Sequence, residues 1–177
     1  MSVYTKTGDN GETSVMNASQ SLVRVSKTSP QIMAIGAVDE LTSYLGVCIS
    51  VADTTRQKTI TGIVAQLYSI NAILAGSDIP FPKSTVTTLE EAIDEMESRL
   101  PRLNHFILPT DNVLAAHLNM ARAMARSAER SIISSGVIVS PVVLAYINRL
   151  SDYLFTLVRE VNEETGTKVE PWIGKKI

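Results

Sequence analysis

The chain has 177 residues, of which 45% are hydrophobic and only 5% aromatic, so aliphatic side chains must form the core, as in many helical proteins. A formal net charge of −2 gives no general attraction to nucleic acid or anionic membranes. The single cysteine, Cys48, excludes a disulfide framework, and His105 and His117 lack companions at metal-ligand spacing, so no metal site is predicted. The chain shows no basic-then-apolar leader, and no apolar run is predicted to approach membrane-spanning length. We therefore expect a soluble cytoplasmic protein without nucleic-acid or membrane partners.

The first 28 residues contain turn-forming and hydroxyl side chains with little hydrophobic periodicity. The segment Gly8-Asp9-Asn10-Gly11 suits a tight turn and allows two interpretations. In one, the turn is the tip of a hairpin between strands at residues 3–7 and 12–16. In the other, it is a phosphate-binding loop whose amides surround an anion together with nearby hydroxyls, which belong to Thr5, Thr7, Thr13 and Ser14. The sequence fits neither a Walker A loop nor a calcium loop.

Apolar residues at helical spacing predict five helices within residues 29–166. Ser29-Pro30 and Ser140-Pro141 place a capping hydroxyl before a proline, which predicts the starts of a first helix (31–51) and a last one. A second helix is predicted at about 55–75. The third is predicted to begin at a capping box, formed by Thr87 with Glu90 or by Thr88 with Glu91. The other predicted boundaries are a cap at Asp111 for the fourth helix and stops at Gly76, Pro101, Gly136 and Gly166.

The predicted fourth helix contains residues 119–130, which read NMARAMARSAER. Arg122, Arg126 and Arg130 recur every four residues and therefore form one strip of guanidinium groups, with Glu129 on the same strip. The strip flanks the apolar stripe of this helix instead of lying opposite to it. Two interpretations remain open: a surface face with ion pairs, and guanidinium groups beside a packed interface that hold carboxylate or phosphate.

Two other segments carry apolar side chains that need a partner. Residues 104–109 read NHFILP, and this loop either packs on the end of the bundle or forms the wall of a pocket for a large ligand. On the last helix, one face opposite to the apolar stripe carries Asn148, Asp152, Phe155 and Arg159. Because Phe155 lies in the middle of that polar face, the face is interpreted as a contact surface.

Several motifs together resemble one family over most of the chain. YTKTGDNGET, VSKTSP followed by AIGAVDEL, FILP, ARxxxRxAER and YINRLSDYLF occur in the same order as in the PduO-type ATP:cob(I)alamin adenosyltransferases. The resemblance implies an all-α, five-helix bundle of the ferritin-like, cobalamin adenosyltransferase-like class in a single domain, residues 1–177. Within it, residues 1–28 form a flexible N-terminal ATP loop, 29–166 the bundle and 167–177 a loose tail.

The resemblance also implies an activity and its partners. The cobalt of reduced cob(I)alamin attacks C5′ of ATP, adenosylcobalamin forms and triphosphate leaves, with ATP entering as its Mg²⁺ complex. The implied assembly is a homotrimer with active sites between subunits. Other implied partners are an electron-donor flavoprotein and a downstream adenosylcobalamin-dependent enzyme.

Individual residues match the family motifs, and their roles are implied by that match. Thr5, Thr7, Gly8, Asp9 and Gly11 correspond to the loop that closes over the nucleotide, and Lys27 to a lysine that contacts triphosphate. Arg126 matches an arginine that contacts ATP and pairs with an aspartate of the next subunit, for which Asp39 is the match. Further ATP-contacting matches are Glu129, Arg130 and Asn148. Phe106 matches the aromatic residue on the corrinoid face, and Phe155 is assigned to the same face.

The sequence departs from the family pattern at several positions. Asn10, Gln31 and Ser127 replace a lysine and two arginines, which removes positive charge near the expected nucleotide site. Thr110-Asp111 replaces a glycine pair, while Asn119 and Ile35 replace a histidine and a tyrosine. The alternative function is therefore a nucleotide- or corrinoid-binding homotrimer with reduced or lost catalysis. A plain helical scaffold is the third hypothesis, and it leaves the glycine turn and the arginine strip unexplained.

Overall fold

A computed structural model describes residue 4 and residues 6–17, 19–105, 107–108 and 112–172. Its helical part confirms the prediction of an all-α bundle of five helices. The only sheet in the described residues is a two-stranded hairpin that precedes the bundle. The elements are β1 (Glu12–Met16), β2 (Leu22–Ser26), α1 (Pro30–Val51), α2 (Thr54–Leu74), α3 (Ser84–Arg99), α4 (Val113–Ser134) and α5 (Pro141–Glu164).

Two of the predicted helix starts are confirmed by their caps. The Ser29 hydroxyl accepts a hydrogen bond from the backbone of Ile32, and the Ser140 hydroxyl accepts one from Val143. In both cases proline is the first helical residue, where its missing N–H costs nothing. These starts were predictable because a cap and a proline act within one helical turn.

Two other predicted starts are wrong. The side chain that caps α4 belongs to Asn112, whose Oδ1 accepts from the backbone of Ala115; the predicted cap, Asp111, lies outside the described residues. Helix α3 begins at Ser84, before the predicted capping box, and no side chain caps it. The Thr88 hydroxyl instead donates to the carbonyl of Ser84 inside the helix. The residues of the predicted capping box thus lie inside α3, which begins where the proline-containing connection ends.

The core lies where α4 packs against both α1 and α5. Helix α4 contributes small residues to this contact, so its neighbours approach closely. Helix α2 packs on α1, and α3 packs on α5. Phe81, in the connection before α3, meets Tyr146 of α5 edge to face with ring centroids 5.3 Å apart. The buried residues of α4 are Ala115, Leu118, Ala121, Ala125, Ala128 and Ile132.

The helices run alternately up and down, which defines two ends of the bundle. At the hairpin end, the hairpin meets the start of α1, the end of α2 and the connection between α4 and α5 around one cavity. At the opposite end, the loop after α3 meets the last turn of α5 and residues 169–171. Helices α1 and α4 are therefore antiparallel, and positions on them can be compared by their distance from the hairpin end.

The hairpin differs from the predicted one. β1 pairs with β2 in antiparallel register, from Glu12 opposite Ser26 to Met16 opposite Leu22, so the chain reverses at residues 17–21. Strand 12–16 was predicted correctly, but the described residues of 3–7 form no strand, and Gly8–Gly11 is a turn that leads into β1. The predicted hairpin is wrong because the strong turn sequence lies outside the hairpin, whereas a weaker turn closes it.

Helix α1 corrects a second expectation. By length and composition alone, Pro30–Val51 is apolar enough to cross a membrane, although no such run was predicted. The same test is passed by core helices of soluble proteins, but only 33% of this apolar stretch is buried within the chain. Its exposed side chains include Met33, Val47 and Val51. The helix thus presents apolar surface that the bundle itself does not cover.

Candidate functional site

A cavity of about 450 Å³ opens between α4, α5 and the loop that follows α3. One wall is apolar and is formed by Leu103, Ile107 and Leu108 of that loop, together with Phe155 of α5. Two of the three arginines of the strip, Arg122 and Arg126, also line the cavity. The remaining lining residues are Ala115, Asn119, Ser151, Asp152 and Val158. An apolar wall and two guanidinium groups thus border one space.

Among the described residues, the arginine strip forms no ion pair within the chain. Five arginines form the ion pairs of the described residues, and they are Arg24, Arg56, Arg99, Arg149 and Arg159. Among the same described residues, neither Arg126 nor Arg130 makes a hydrogen bond or ion pair, although both are exposed. Arg122 is half-buried, and its Nε donates to Oδ1 of Asn119 at 2.8 Å. The interpretation of this strip as a face of intrachain ion pairs is therefore not supported.

Glu129 and Asn148 lie together across α4 and α5. The Asn148 amide nitrogen donates to Oε1 of Glu129 at 2.9 Å. Because an ionised carboxylate only accepts, this contact fixes the orientation of the amide and leaves its Oδ1 as an acceptor. The pair therefore presents acceptor oxygens, which suit hydroxyl or amino groups, whereas the neighbouring arginines suit phosphate.

Two predicted site residues on the helices, Asp39 and Arg126, fall at similar heights in the bundle. Asp39 lies nine residues after Pro30, the first residue of α1, and Arg126 lies eight residues before Ser134, the last residue of α4. With a rise of about 1.5 Å per residue, the two side chains are nearly level in these antiparallel helices. Asp39 is exposed, and no ion pair joins it to a described residue. The Asp39 carboxylate and the Arg126 guanidinium are therefore both exposed and without an ion pair among the described residues.

Two basic residues hold the glycine turn: Arg24 of β2 and Lys27, which directly follows β2. Lys27 donates from Nζ to the carbonyl of Gly8 at 2.9 Å, and Arg24 donates to the carbonyl of Thr7 at 2.6 Å. A Cβ at Gly8 would lie 3.1 Å from the Lys27 ammonium, so this turn leaves little room for a side chain. The structure thus brings together Thr7, Gly8 and Lys27, with Asp9 and Gly11 in the same turn.

The apolar loop is joined to the C-terminal segment. The amide of Leu108 donates to the carbonyl of Glu170 at 2.9 Å, and Ile107 forms an isolated antiparallel bridge with Pro171. This contact links residues far apart in sequence, so no local pattern could have predicted it. Trp172 follows directly and is more than half exposed.

Some predicted residues cannot be placed, and others were missed. Phe106 and Thr5 lie outside the described residues. Asn119 was not predicted as a site residue, yet it contacts Arg122 at the cavity wall. Its spacing of three residues from Arg122 on a helix was the available signal. His117 lies away from the cavity, where Nδ1 and the Tyr44 hydroxyl share a hydrogen bond of 2.9 Å between α1 and α4.

One departure from the family pattern has a structural consequence in this chain. The Gln31 amide donates to the carbonyl of Leu74 at 2.8 Å, where the last carbonyls of α2 need partners. Ser127, by contrast, is exposed on α4 beside Arg126.

Comparisons with known proteins agree with one another. Residues 3–161 match a family model described as cobalamin adenosyltransferase. A corrinoid adenosyltransferase PduO of Salmonella typhimurium is 40% identical over 169 residues, which cover 90% of this chain but 49% of that protein. The chain thus spans about half the length of the PduO relatives it matches. The corrinoid adenosyltransferase of Bacillus subtilis is 32% identical and is covered over 89% of its length.

Solved structures share the fold. A variant of the PduO-type ATP:corrinoid adenosyltransferase of Lactobacillus reuteri, complexed with cobalamin and ATP, superposes with a TM-score of 0.87 at 30% identity. The match covers 97% of this chain and 96% of the other. Another variant of the same protein, complexed with ATP, has the same TM-score and identity.

Proposed function

Because the chain belongs to the cobalamin adenosyltransferase family, we propose that it transfers the 5′-deoxyadenosyl group of ATP to the cobalt of a reduced corrinoid. The observation that carries the proposal is the cavity between α4 and α5, which combines an apolar cover with the Arg126 guanidinium. Among the described residues, that guanidinium has no partner within the chain. A planar apolar-faced substrate and a polyanion need opposite surroundings, and this cavity supplies both.

The reaction needs no protein nucleophile. The electron pair of Co(I) forms the bond to C5′, and the C5′–O bond breaks with its electron pair leaving on triphosphate. Negative charge on the leaving oxygen grows in the transition state, where a preorganised guanidinium stabilises it more than in the ground state. We assign this role to Arg126 and a supporting one to Arg130. Magnesium enters with ATP, since phosphate oxygens are the ligands that it prefers.

The nucleoside and the phosphates are assigned to different groups. Glu129 and Asn148 present acceptor oxygens and therefore suit the ribose hydroxyls or the adenine amino group. The glycine turn, with Thr5, Thr7, Gly8, Asp9, Gly11 and Lys27, is proposed to close over the triphosphate. The Lys27 ammonium donates to the Gly8 carbonyl, so closure over a nucleotide would exchange this neutral acceptor for a phosphate.

The corrinoid is assigned to the apolar side of the cavity. Phe155 lines that side, and Phe106 belongs to the loop whose neighbouring residue, Ile107, also lines it. An apolar cover excludes water and the lower axial ligand from cobalt, which makes Co(II) easier to reduce. A cytoplasmic location, a flavoprotein electron donor and a downstream adenosylcobalamin-dependent enzyme remain predictions.

The assembly is proposed to be a homotrimer in which Asp39 of one subunit pairs with Arg126 of the next. Two observations support an interface on this side. Both charged groups are exposed and nearly level along the bundle, and α1 carries apolar side chains that the single chain leaves uncovered. An aspartate on such a face can order the arginine that meets ATP and thereby couple assembly to activity.

A second function is supported by the missing charges. Because Asn10, Gln31 and Ser127 replace basic residues, a trimer that binds nucleotide or corrinoid with little turnover is the alternative. Gln31 supports this alternative, since its amide is engaged by the end of α2 and offers no charge to phosphate.

The test is to mix the protein with ATP, Mg²⁺ and chemically reduced cobalamin and to follow adenosylcobalamin by absorbance. We expect turnover, and we expect Arg126→Met to lower kcat by roughly 100-fold, as loss of one oxyanion donor does in other enzymes. Arg99→Met is the matched control, because Arg99 pairs with Glu95 and Glu160 away from the cavity. Binding of both substrates without product would instead favour the alternative function.

A further inference from the structure

We infer that Arg159, which does not line the cavity, is a positioning residue that fixes the loop covering the corrinoid side. This inference rests on the proposed function. The loop is taken here as residues 101–105 with Ile107 and Leu108. Arg159 belongs to α5 and lies behind this loop, on the side away from the substrate cavity.

The contacts of Arg159 join three elements. Its Nη1 donates to Oε1 of Glu97 near the end of α3 at 3.0 Å, and its Nη2 donates to the carbonyl of Pro101 at 2.6 Å. The side chain is 11% exposed, the lowest value among the arginines in the described ion pairs. A planar fork that makes two charge-assisted hydrogen bonds in this setting holds the start of the loop in one place.

Such anchors matter for this loop because its described residues border a cavity on each side. A second cavity of about 340 Å³ separates it from α5 and the C-terminal segment. Leu103 and Ile107 line both cavities, so this loop is the partition between them. One end is held by Arg159 at Pro101, and the other by the hydrogen bond between Leu108 and Glu170. These two contacts help to hold the loop between the cavities.

The consequence for the reaction is specific to one substrate. A shift of the loop moves the apolar wall at Leu103 and Ile107, whereas Arg126, Glu129 and Asn148 stay on helices that the loop does not support. Loss of the Arg159 fork should therefore weaken corrinoid binding and the apolar cover over cobalt, and it should leave ATP binding almost unchanged.

The test compares Arg159→Lys with the parent chain and with two control variants. Lysine keeps the charge but cannot donate to Glu97 and Pro101 from one planar group. Glu97→Gln keeps an acceptor for Nη1 and leaves the Pro101 contact intact, so it should behave like the parent. Arg99→Met removes the ion pairs with Glu95 and Glu160 at the same end of α3 and changes no residue of the loop.

We expect Arg159→Lys to raise the KM for cobalamin roughly tenfold, as displacement of a supporting group can do. The KM for ATP should stay within about twofold of the parent, since no interaction with ATP is removed. With ATP bound, cob(II)alamin should show a smaller absorbance change toward the form without its lower ligand. Thermal denaturation with and without ATP checks that the variant is folded.

The outcomes separate the two proposals. If the parent makes adenosylcobalamin and Arg159→Lys keeps the parental KM for cobalamin and the parental spectrum, the role of Arg159 is overturned and the proposed function stands. Equal losses toward ATP and cobalamin would also overturn it, because they would indicate a general structural role. A parent chain that neither binds cob(II)alamin nor forms product would overturn the proposed function and this inference together.

Discussion

The amide of Asn148 donates to the carboxylate of Glu129, and this single contact decides what the pair can recognise. Replacing Asn148 by aspartate would put a second carboxylate within hydrogen-bond distance of Glu129, so one of the two would move or bind a proton. We expect Asn148→Asp to raise the KM for ATP roughly tenfold or more, because the Glu129 carboxylate would lose the amide that donates to it.

Steady-state kinetics with each substrate varied in turn would measure this effect. The KM for cobalamin should change little, since Asn148 does not line the cavity that carries the apolar wall. Thr87→Asp, an exposed change on α3, adds the same charge elsewhere and should leave both values alone. An equal effect of the two substitutions would contradict a local role for Asn148.

Cys48 illustrates how burial controls the chemistry of a side chain. It is fully buried on α1, and burial raises the pKa of its thiol to about 11. The folded protein should therefore resist a thiol reagent at pH 8, where the unfolded chain reacts at once. The Cys48 thiol ionises first in the unfolded state as pH rises. The free energy of unfolding should therefore fall with pH between the ordinary pKa of a thiol and about 11. Reagent titration with and without denaturant checks the first expectation, and rapid labelling of the native protein would contradict it.

At the scale of elements, the hairpin depends on one glycine at the end of α2. Gly76 has a φ of +99°, and a Cβ there would lie 2.1 Å from the carbonyl oxygen of Met16. The amide of Met16 donates to the carbonyl of Ala75 at 2.9 Å, so hairpin and helix are in backbone contact. Gly76→Ala must therefore displace the hairpin that carries the glycine turn, and we expect a raised KM for ATP.

Gly136→Ala is the matched control for this prediction. Gly136 also has a positive φ, of +71°, but a Cβ there would meet nothing within 4 Å. Its substitution should cost about 1–2 kcal/mol of backbone strain and leave the KM for ATP unchanged. Circular dichroism melting would measure the strain in both variants. Equal KM values for the two would show that the contact between hairpin and α2 does not serve the nucleotide loop.

At the scale of the whole molecule, assembly is the property that a single chain leaves open. We expect light scattering to give a trimer, and we expect Asp39→Ala to weaken it by roughly 3–5 kcal/mol if the Arg126 partner is desolvated in the interface. Glu40→Ala is the control, because it removes the neighbouring exposed carboxylate of the same helix. A monomeric parent at micromolar concentration would contradict the proposed assembly, and equal effects of the two variants would contradict the pairing.

Much of the fold was predictable, and the exceptions have a common cause. Ser29-Pro30 and Ser140-Pro141 start helices because cap, proline and first turn interact within a few residues. The hairpin and the start of α3 were predicted wrongly, because Gly8–Gly11 and Thr87–Glu91 carry strong local signals in places where neighbouring structure uses them differently. Helix α3 begins where the connection from α2 ends, and the position of the hairpin is set by its backbone contact with the end of α2 at Ala75 and Gly76.

In the candidate site, too, local features were predictable from the sequence and contacts between distant segments were not. By itself, the sequence determined the arginine strip and its position beside the packed face of α4, since both depend on a period of 3.6 residues along one helix. Only the tertiary structure decided that Arg122 and Arg126 share a cavity with Leu103 and Phe155, that Asn148 meets Glu129, and that Arg159 supports the covering loop. The physical reason is range: helical periodicity acts within two turns, whereas a cavity wall is set by how separate helices, a loop and the C-terminal segment pack together.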